Sequence, residues 1–237
     1  MQSAGETSQL KRTARIAGLL YLVMGITGAI GIMMVPQKLF VPGNTEATVM
    51  NITSKEFLFR LGIFCGLVCQ TVFIFLALTL FRLFKTVSKS LASTLLALVI
   101  VSVPIAYFII FNQFYALVLL KENFMTNIDA GYRQSMIMAS LKMYENGNTI
   151  IGIFWGLWLI PFGMLSFRSG FIPKILGVLL VAGGISYLLD ATAFILFPPF
   201  QKYTSVMVAI FSAIAELAMV LWLLIKGVRY SSEEKLS

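Results

Sequence analysis

The chain contains no histidine. That single absence removes histidine-ligated haem, the HExxH zinc hydrolases, serine–histidine–aspartate triads and the imidazole proton shuttle. Cysteine is almost as scarce, with only Cys65 and Cys69 in 237 residues. Two thiols make neither a disulfide framework nor a zinc site. Four residues apart on a helix they are neighbours, and they read as small packing residues. A soft-metal site drawing on nearby methionines is the alternative. Charge is scarce too, at 12% of residues, against about 25% in soluble domains. With 59% hydrophobic residues, twenty Phe and twelve Met, such a chain would aggregate in water.

What is present is a series of long apolar runs, neither striped nor alternating. Runs of about 18 or more uncharged residues are candidate membrane helices. The pattern predicts an all-α polytopic membrane protein, one six-helix domain over residues 1–237. Its helices are expected at about 12–35, 54–84, 90–120, 148–167, 173–197 and 203–227. The segment before Lys11 and Arg12 is polar. The run after it is too long for a signal peptide's apolar region and is read as a retained helix.

Several local signals set these boundaries. Gly18, Gly25, Gly28, Ala29 and Gly31 give the first run a small-residue face that lets another helix approach closely. Pro36 is expected to end it. Asn44 is placed to cap a short helix over residues 45–52. Thr53 and Glu56 have capping-box spacing ahead of the second run. Pro104 is a kink candidate in the third. Gly152-x-x-x-Gly156 in the fourth is read as packing within the chain. Tryptophans 155, 158 and 222 are read as packing or interface anchors.

Between the third and fourth runs, residues 121–147 mix charge with apolar side chains. Met136, Ile137, Leu141, Met143 and Tyr144 share one side of a helical wheel; Gln134, Lys142 and Glu145 take the other. That predicts an amphipathic helix capping the bundle or lying on its surface. Arg133 falls within the apolar side, as a snorkelling residue or as a cation aimed inward.

The net charge of +8 comes from cations at the ends of apolar runs, so it signals topology and not nucleic acid. Six crossings put both termini on one side. That side holds Lys11, Arg12, Arg15, Arg82, Lys85, Lys89, Arg168, Lys174, Lys226, Arg229 and Lys235, eleven cations, against seven on the other. Positive-inside logic makes the first side, with both termini, cytoplasmic in a plasma membrane. The amphipathic segment is then on the outer side.

Polar residues inside the runs are the candidates for function. Glu216 sits in an apolar run bounded by Lys202 and Lys226, near the midplane by helix rise. A carboxylate there costs roughly 2.5–3.5 kcal/mol or more on insertion scales and needs a partner, a proton or a wet cavity. Gln70 has similar depth and is its candidate partner. Asp190, Asn112 and Gln113 lie in the outer third, and Arg60 near the outer rim. With Tyr187 and Arg133 they form a polar set in the middle and outer half. Two readings stay open. Either these residues are interhelical glue, with Arg60 pairing Asp190, or they line an outward-opening pocket with Glu216 at its floor.

Several stretches carry a family resemblance. They are Arg168-Ser169-Gly170-Phe171-Ile172-Pro173-Lys174-Ile175-Leu176-Gly177, Tyr187-Leu188-Leu189-Asp190, Gly156-Leu157-Trp158-Leu159-Ile160-Pro161 and Ala14-Arg15-Ile16-Ala17-Gly18-Leu19-Leu20-Tyr21. With Glu216-Leu217 and Leu221 to Gly227, they make the chain resemble the bacterial domain-of-unknown-function 4386 family from about Leu10 to Arg229. The cytoplasmic turn Arg168, Ser169, Gly170, Pro173, Lys174 is the most specific part. The resemblance implies a bacterial multi-pass membrane protein and carries over no activity.

Three functions remain open from the residues. One is a carrier or binding protein for a small molecule or ion, with Glu216 coupling to protons. A second is a non-catalytic accessory, immunity or stress-response protein. The third is a membrane enzyme on lipid or isoprenoid using Asp190 and Glu216 as acid and base. Against the third, the sequence shows neither an aspartate-rich metal motif nor a nucleophile elbow. No metal, no cofactor and no nucleic acid is expected; the lipid bilayer is.

Overall fold

The computed structural model describes residues 4–121 and 129–228, with side chains for 8–120 and 129–228. Residues 122–128 of the connection, Arg229, Lys235 and the polar tail lie outside the described residues. In chain order the elements are α1 (Ala4–Gly28), a π-helical segment (Ala29–Met34), α2 (Val35–Leu39), α3 (Thr45–Ser54), α4 (Glu56–Phe84), α5 (Lys89–Lys121), α6 (Ala130–Arg168), α7 (Lys174–Leu196), a 3₁₀ turn (Pro198–Phe200) and α8 (Gln201–Ile225). Among the described residues there is no strand, and six helical stretches are long and apolar enough to cross a membrane. Exposed Phe64, Phe75, Phe108, Phe111, Ile210 and Leu217 along these stretches suit acyl chains and not water. The protein is an all-helical, multi-pass membrane protein.

Two compact units share the chain. The first holds Met1–Leu22, Val72–Ser102 and Ile151–Ser237; the second holds Val23–Thr71 and Val103–Ile150.

In the first unit, glycine sets the helix spacing. α7 packs along α8. α6 meets α7 so closely that a Cβ on Gly156 would sit 2.5 Å from the Gly184 carbonyl oxygen, and one on Gly163 2.5 Å from that of Gly177. The Gly152–Gly156 face therefore packs within the chain, with Tyr187 against both glycines. α1 meets α8 through Ala14, Ala17 and Gly18, where a Cβ on Gly18 would lie 2.8 Å from the Leu224 nitrogen. An aromatic core fills the rest. Trp158 stacks on Phe162 at 5.4 Å, Phe73 meets Trp158 edge-on at 4.8 Å, and Phe84 stacks on Phe171 at 5.8 Å.

In the second unit Gly31 faces Gly62 and Gly66, with a would-be Cβ 2.7 Å from the Gly62 carbonyl oxygen. A Cβ on Gly28 would lie 3.2 Å from the Cys69 sulfur, and both cysteines are buried. The small-residue face of the first run thus serves two different neighbours. A Cβ on Gly25 would meet nothing within 4 Å.

Three expected boundaries fail. Pro36 does not end the first helix. The chain widens into the π segment and re-enters an α-helix with Pro36 in its first turn, where a proline's missing N–H does least harm. The Val35 N–H reaches back to the Ile30 carbonyl, five residues away. The next bond of that register would run from residue 36 to the Gly31 carbonyl, and proline has no hydrogen to give. The Tyr144 hydroxyl donates to that carbonyl instead, at 3.2 Å.

The capping box is also absent. The Thr53 hydroxyl donates to the Val49 carbonyl inside α3, and Glu56 pairs with Arg60. Both side chains found partners on their own helix, and Lys55 makes the break. The Asn44 cap does form, accepting from the Ala47 N–H at 2.9 Å.

Nor is there a separate amphipathic helix. Residues 130–168 run as one helix through Gly147 and Asn148. Gly147 stays helical because it lies against Ile109, with a would-be Cβ at 2.9 Å. Ile137, Leu141 and Tyr144 are buried as the wheel predicts, but Met143 is 59% exposed.

Candidate functional site

Glu216 lies on α8 one turn past Ser212, where the packing of α1 decides what it meets. Ala14, Ala17, Gly18 and Tyr21 recur at helical spacing and form the inner face of α1. Because Gly18 brings the two backbones together, the Tyr21 side chain reaches across. Its hydroxyl donates to Glu216 Oε2 at 2.7 Å. Tyr21 itself is 1% exposed, held edge-on to Trp158 at 5.9 Å and against Phe162 at 6.2 Å.

The carboxylate is therefore neither ion-paired nor bonded to an amide. Among the described residues no Lys or Arg reaches it, and its hydrogen-bond partner is a phenol set in an aromatic wall. The Tyr187 phenol, on α7, is close enough to interact with both Ser212 and Glu216, and Trp155 meets the Tyr187 ring at 6.0 Å. Glu216 keeps partial exposure, and Oε1 has no hydrogen bond from the described residues. One oxygen is fixed and the other is open.

The other candidates divide between the units. Asp190 belongs to the first. Its Oδ1 accepts from the hydroxyls of Thr204 at 2.7 Å and Ser205 at 3.0 Å, across the tight α7–α8 connection. Arg60 does not pair with it. Arg60 pairs with Glu56 at 2.6 Å, one turn back on α4, because the i,i+4 partner is already in reach. Gln70 does not bond Glu216 either; it lies in the second unit, 3% exposed, with its Oε1 unpartnered. Gln113 is 1% exposed with its Nε2 unpartnered.

Asn112 turns back on its own helix, donating to the Phe108 and Ile109 carbonyls, while the Ser140 hydroxyl donates to the Asn112 carbonyl. Arg133 is half-buried and makes no ion pair with a described residue. Among the described residues no three Cys, Asp or Glu side chains converge as metal ligands would.

The basic turn is built locally. Ser169 Oγ donates to the Ser166 carbonyl at 2.8 Å and accepts from the Ile172 N–H at 3.2 Å. Gly170 has φ 72°, the left-handed conformation that favours glycine. Pro173 is the N-cap of α7, and the Lys174 ammonium lies 5.4 Å over the Phe167 ring. Arg168 is exposed. These interactions make a rigid turn, with nothing in them directed at a ligand.

Sequence reasoning missed Tyr21 as the partner of Glu216. The signal was available in its spacing, three residues past Gly18 on the face of α1 whose preceding positions, Ala14, Ala17 and Gly18, are small.

The family described as Domain of unknown function (DUF4386) matches residues 16–227, nearly the whole membrane domain. The chain belongs to that family. No curated protein and no solved structure matches it.

Proposed function

We propose that this DUF4386 chain is a small carrier or binding protein of a bacterial plasma membrane, handling an ion or a small molecule through Glu216. One observation carries the reading. Among the described residues, the sole hydrogen bond to the Glu216 carboxylate comes from a neutral phenol, with no cation to neutralise it. Asp190 likewise lacks a counter-ion among the described residues, but its Oδ1 accepts two hydroxyls, of Thr204 and Ser205, at the α7–α8 connection. Glu216 keeps one oxygen open and can exchange a proton or a cation there. Intramembrane acids without a structural counter-ion mark ion pathways.

The Tyr21 hydroxyl orients the carboxylate and the aromatic wall excludes competing water. Tyr187 and Ser212 offer further polar contacts to whatever binds. Asp190 is a positioning group for the α7–α8 connection in this reading. Both termini on the cytoplasmic side follow the distribution of cations along the chain.

The test is proton entry into proteoliposomes loaded with a pH-sensitive dye, driven by a potassium diffusion potential. The wild-type protein is expected to exceed empty liposomes, and Glu216→Gln to fall to their level. Equal flux in wild type and Glu216→Gln would remove Glu216 from the pathway. Flux from the wild type no greater than from empty liposomes would favour the accessory reading.

A further inference from the structure

α1 has two faces at the start of its membrane crossing. The inner one, Ala14, Ala17, Gly18 and Tyr21, is consumed by α8 and the aromatic core. The outer one is Ser8, Lys11, Arg12, Arg15, Ile16 and Leu19, again at helical spacing, and these six side chains line a shallow groove. All six are exposed. Every cation between residues 8 and 20 lies on this face; Gln9, Leu10 and Thr13, off it, are uncharged. None of the three cations has an ion pair with a described carboxylate.

Positive-inside sorting requires cations near a helix end but not on one face of it. This face also changes character along its length. It is hydroxyl and cationic from Ser8 to Arg15, then apolar from Ile16, 44% exposed, to Leu19, 55% exposed. From Lys11 to Leu19 is eight residues, or about 12 Å of helix. That is the distance over which a phospholipid passes from phosphate to acyl chain. The end of α8 comes to the same level, since a Cβ on Gly227 would lie 3.5 Å from the Lys11 carbonyl oxygen. Exposed Lys226 is the residue before that glycine.

We propose that the outer face of α1 is a binding site for an anionic phospholipid, its phosphate held by Lys11, Arg12 and Arg15 and its chains lying on Ile16 and Leu19. Guanidinium groups suit it because they give paired, planar donors to phosphate oxygens. The exposed isoleucine and leucine separate a lipid from a free anion, which would gain nothing from them. The site is independent of Glu216, which is approached from the opposite face of the same helix.

Native mass spectrometry of the full chain in detergent, equilibrated with equal phosphatidylglycerol and phosphatidylcholine, tests this. Wild type should retain phosphatidylglycerol preferentially. Arg12→Gln and Arg15→Gln should each lower its retention roughly fivefold, and the double variant about 25-fold. Lys85→Gln with Lys89→Gln removes the same charge elsewhere and should change retention less than twofold. Leu19→Gln should lower it with all cations in place. Equal losses from the two double variants, or none from either, would overturn the site. So would displacement of the lipid by excess inorganic phosphate, which would mark a soluble-anion site. If the Arg12/Arg15 double variant does not insert, the single variants and Leu19→Gln decide the matter alone.

Discussion

Tyr21 and Glu216 stand 195 positions apart and meet at 2.7 Å, phenol to carboxylate. Neither is satisfied without the other. Tyr21 is sealed among Trp158 and Phe162, and among the described residues its hydroxyl has no other acceptor and Glu216 no other donor. Removing the hydroxyl alone leaves a carboxylate oxygen unpaired in a low-dielectric setting, which costs more than the bond contributes. Tyr21→Phe should therefore lower stability by about 1–2 kcal/mol, the range between membrane hydrogen bonds and bonds to charged groups. Glu216→Gln keeps an acceptor for the phenol and should cost less. Thermal unfolding in detergent, with both variants and their double, gives the coupling. A double variant whose loss equals the sum of the singles would show that the two groups do not interact.

The spacing of α6 and α7 rests on glycine at the crossing, not on helix propensity. A Cβ on Gly184 would lie 2.7 Å from the Gly156 carbonyl oxygen, a backbone atom that cannot swing aside. Gly184→Val should cost about 1–3 kcal/mol, as overpacking does. Gly25 is the internal control, with open space around it. Gly25→Ala should be neutral, or stabilising by up to about 1 kcal/mol through helix propensity. Melting temperatures of the two variants should move in opposite directions or leave Gly25→Ala unmoved. Similar losses in both would mean that the crossing contact is not what the glycines provide.

Much of the fold was legible because membrane helices follow from one property, the length of uncharged runs. Five of the six spans begin and end close to their expected residues for that reason, whereas the fourth starts at Ala130 and not near residue 148. Legibility fails where a partner distant in sequence decides. Pro36 reads as a stop, yet Tyr144, 108 positions further on, supplies the bond the proline cannot. Gly147 reads as a loop, yet Ile109 needs a glycine inside a helix. In the site, Glu216 stands out because an acid in an apolar run is costly wherever it lies. Tyr21 does not, since tyrosine is ordinary in such runs. Depth pointed to Gln70 as the partner, and depth carries no information about which helices touch.

Gln70 offers a separation of packing from function. Its Oε1 is buried without a partner, so the amide carries a desolvation cost that an apolar isostere would remove. Gln70→Met should be neutral or stabilising by about 1 kcal/mol in chemical or thermal unfolding. If proton or solute flux in proteoliposomes falls while stability holds or rises, the amide serves a ligand. If stability falls by more than about 1 kcal/mol, Gln70 is bonded in the folded protein, with its amide oxygen and nitrogen the other way round.

The π segment yields the sharpest coupling. Val35 bonds the Ile30 carbonyl, which shifts the register by one and leaves the Gly31 carbonyl facing a proline nitrogen. Tyr144 fills that vacancy from α6. Pro36→Ala restores an N–H at that position. It can bond Gly31 in the π register, or let the segment tighten so that Val35 bonds Gly31 as in an ordinary α-helix. Either way Tyr144 loses its orphaned acceptor. Tyr144→Phe should thus cost about 1 kcal/mol in the wild-type chain and markedly less in the Pro36→Ala background. In that background, amide hydrogen exchange should show protection both at Val35 and at the new N–H that follows it. An unchanged cost of Tyr144→Phe across the two backgrounds would mean that the hydroxyl serves another acceptor and that the π turn owes nothing to the proline.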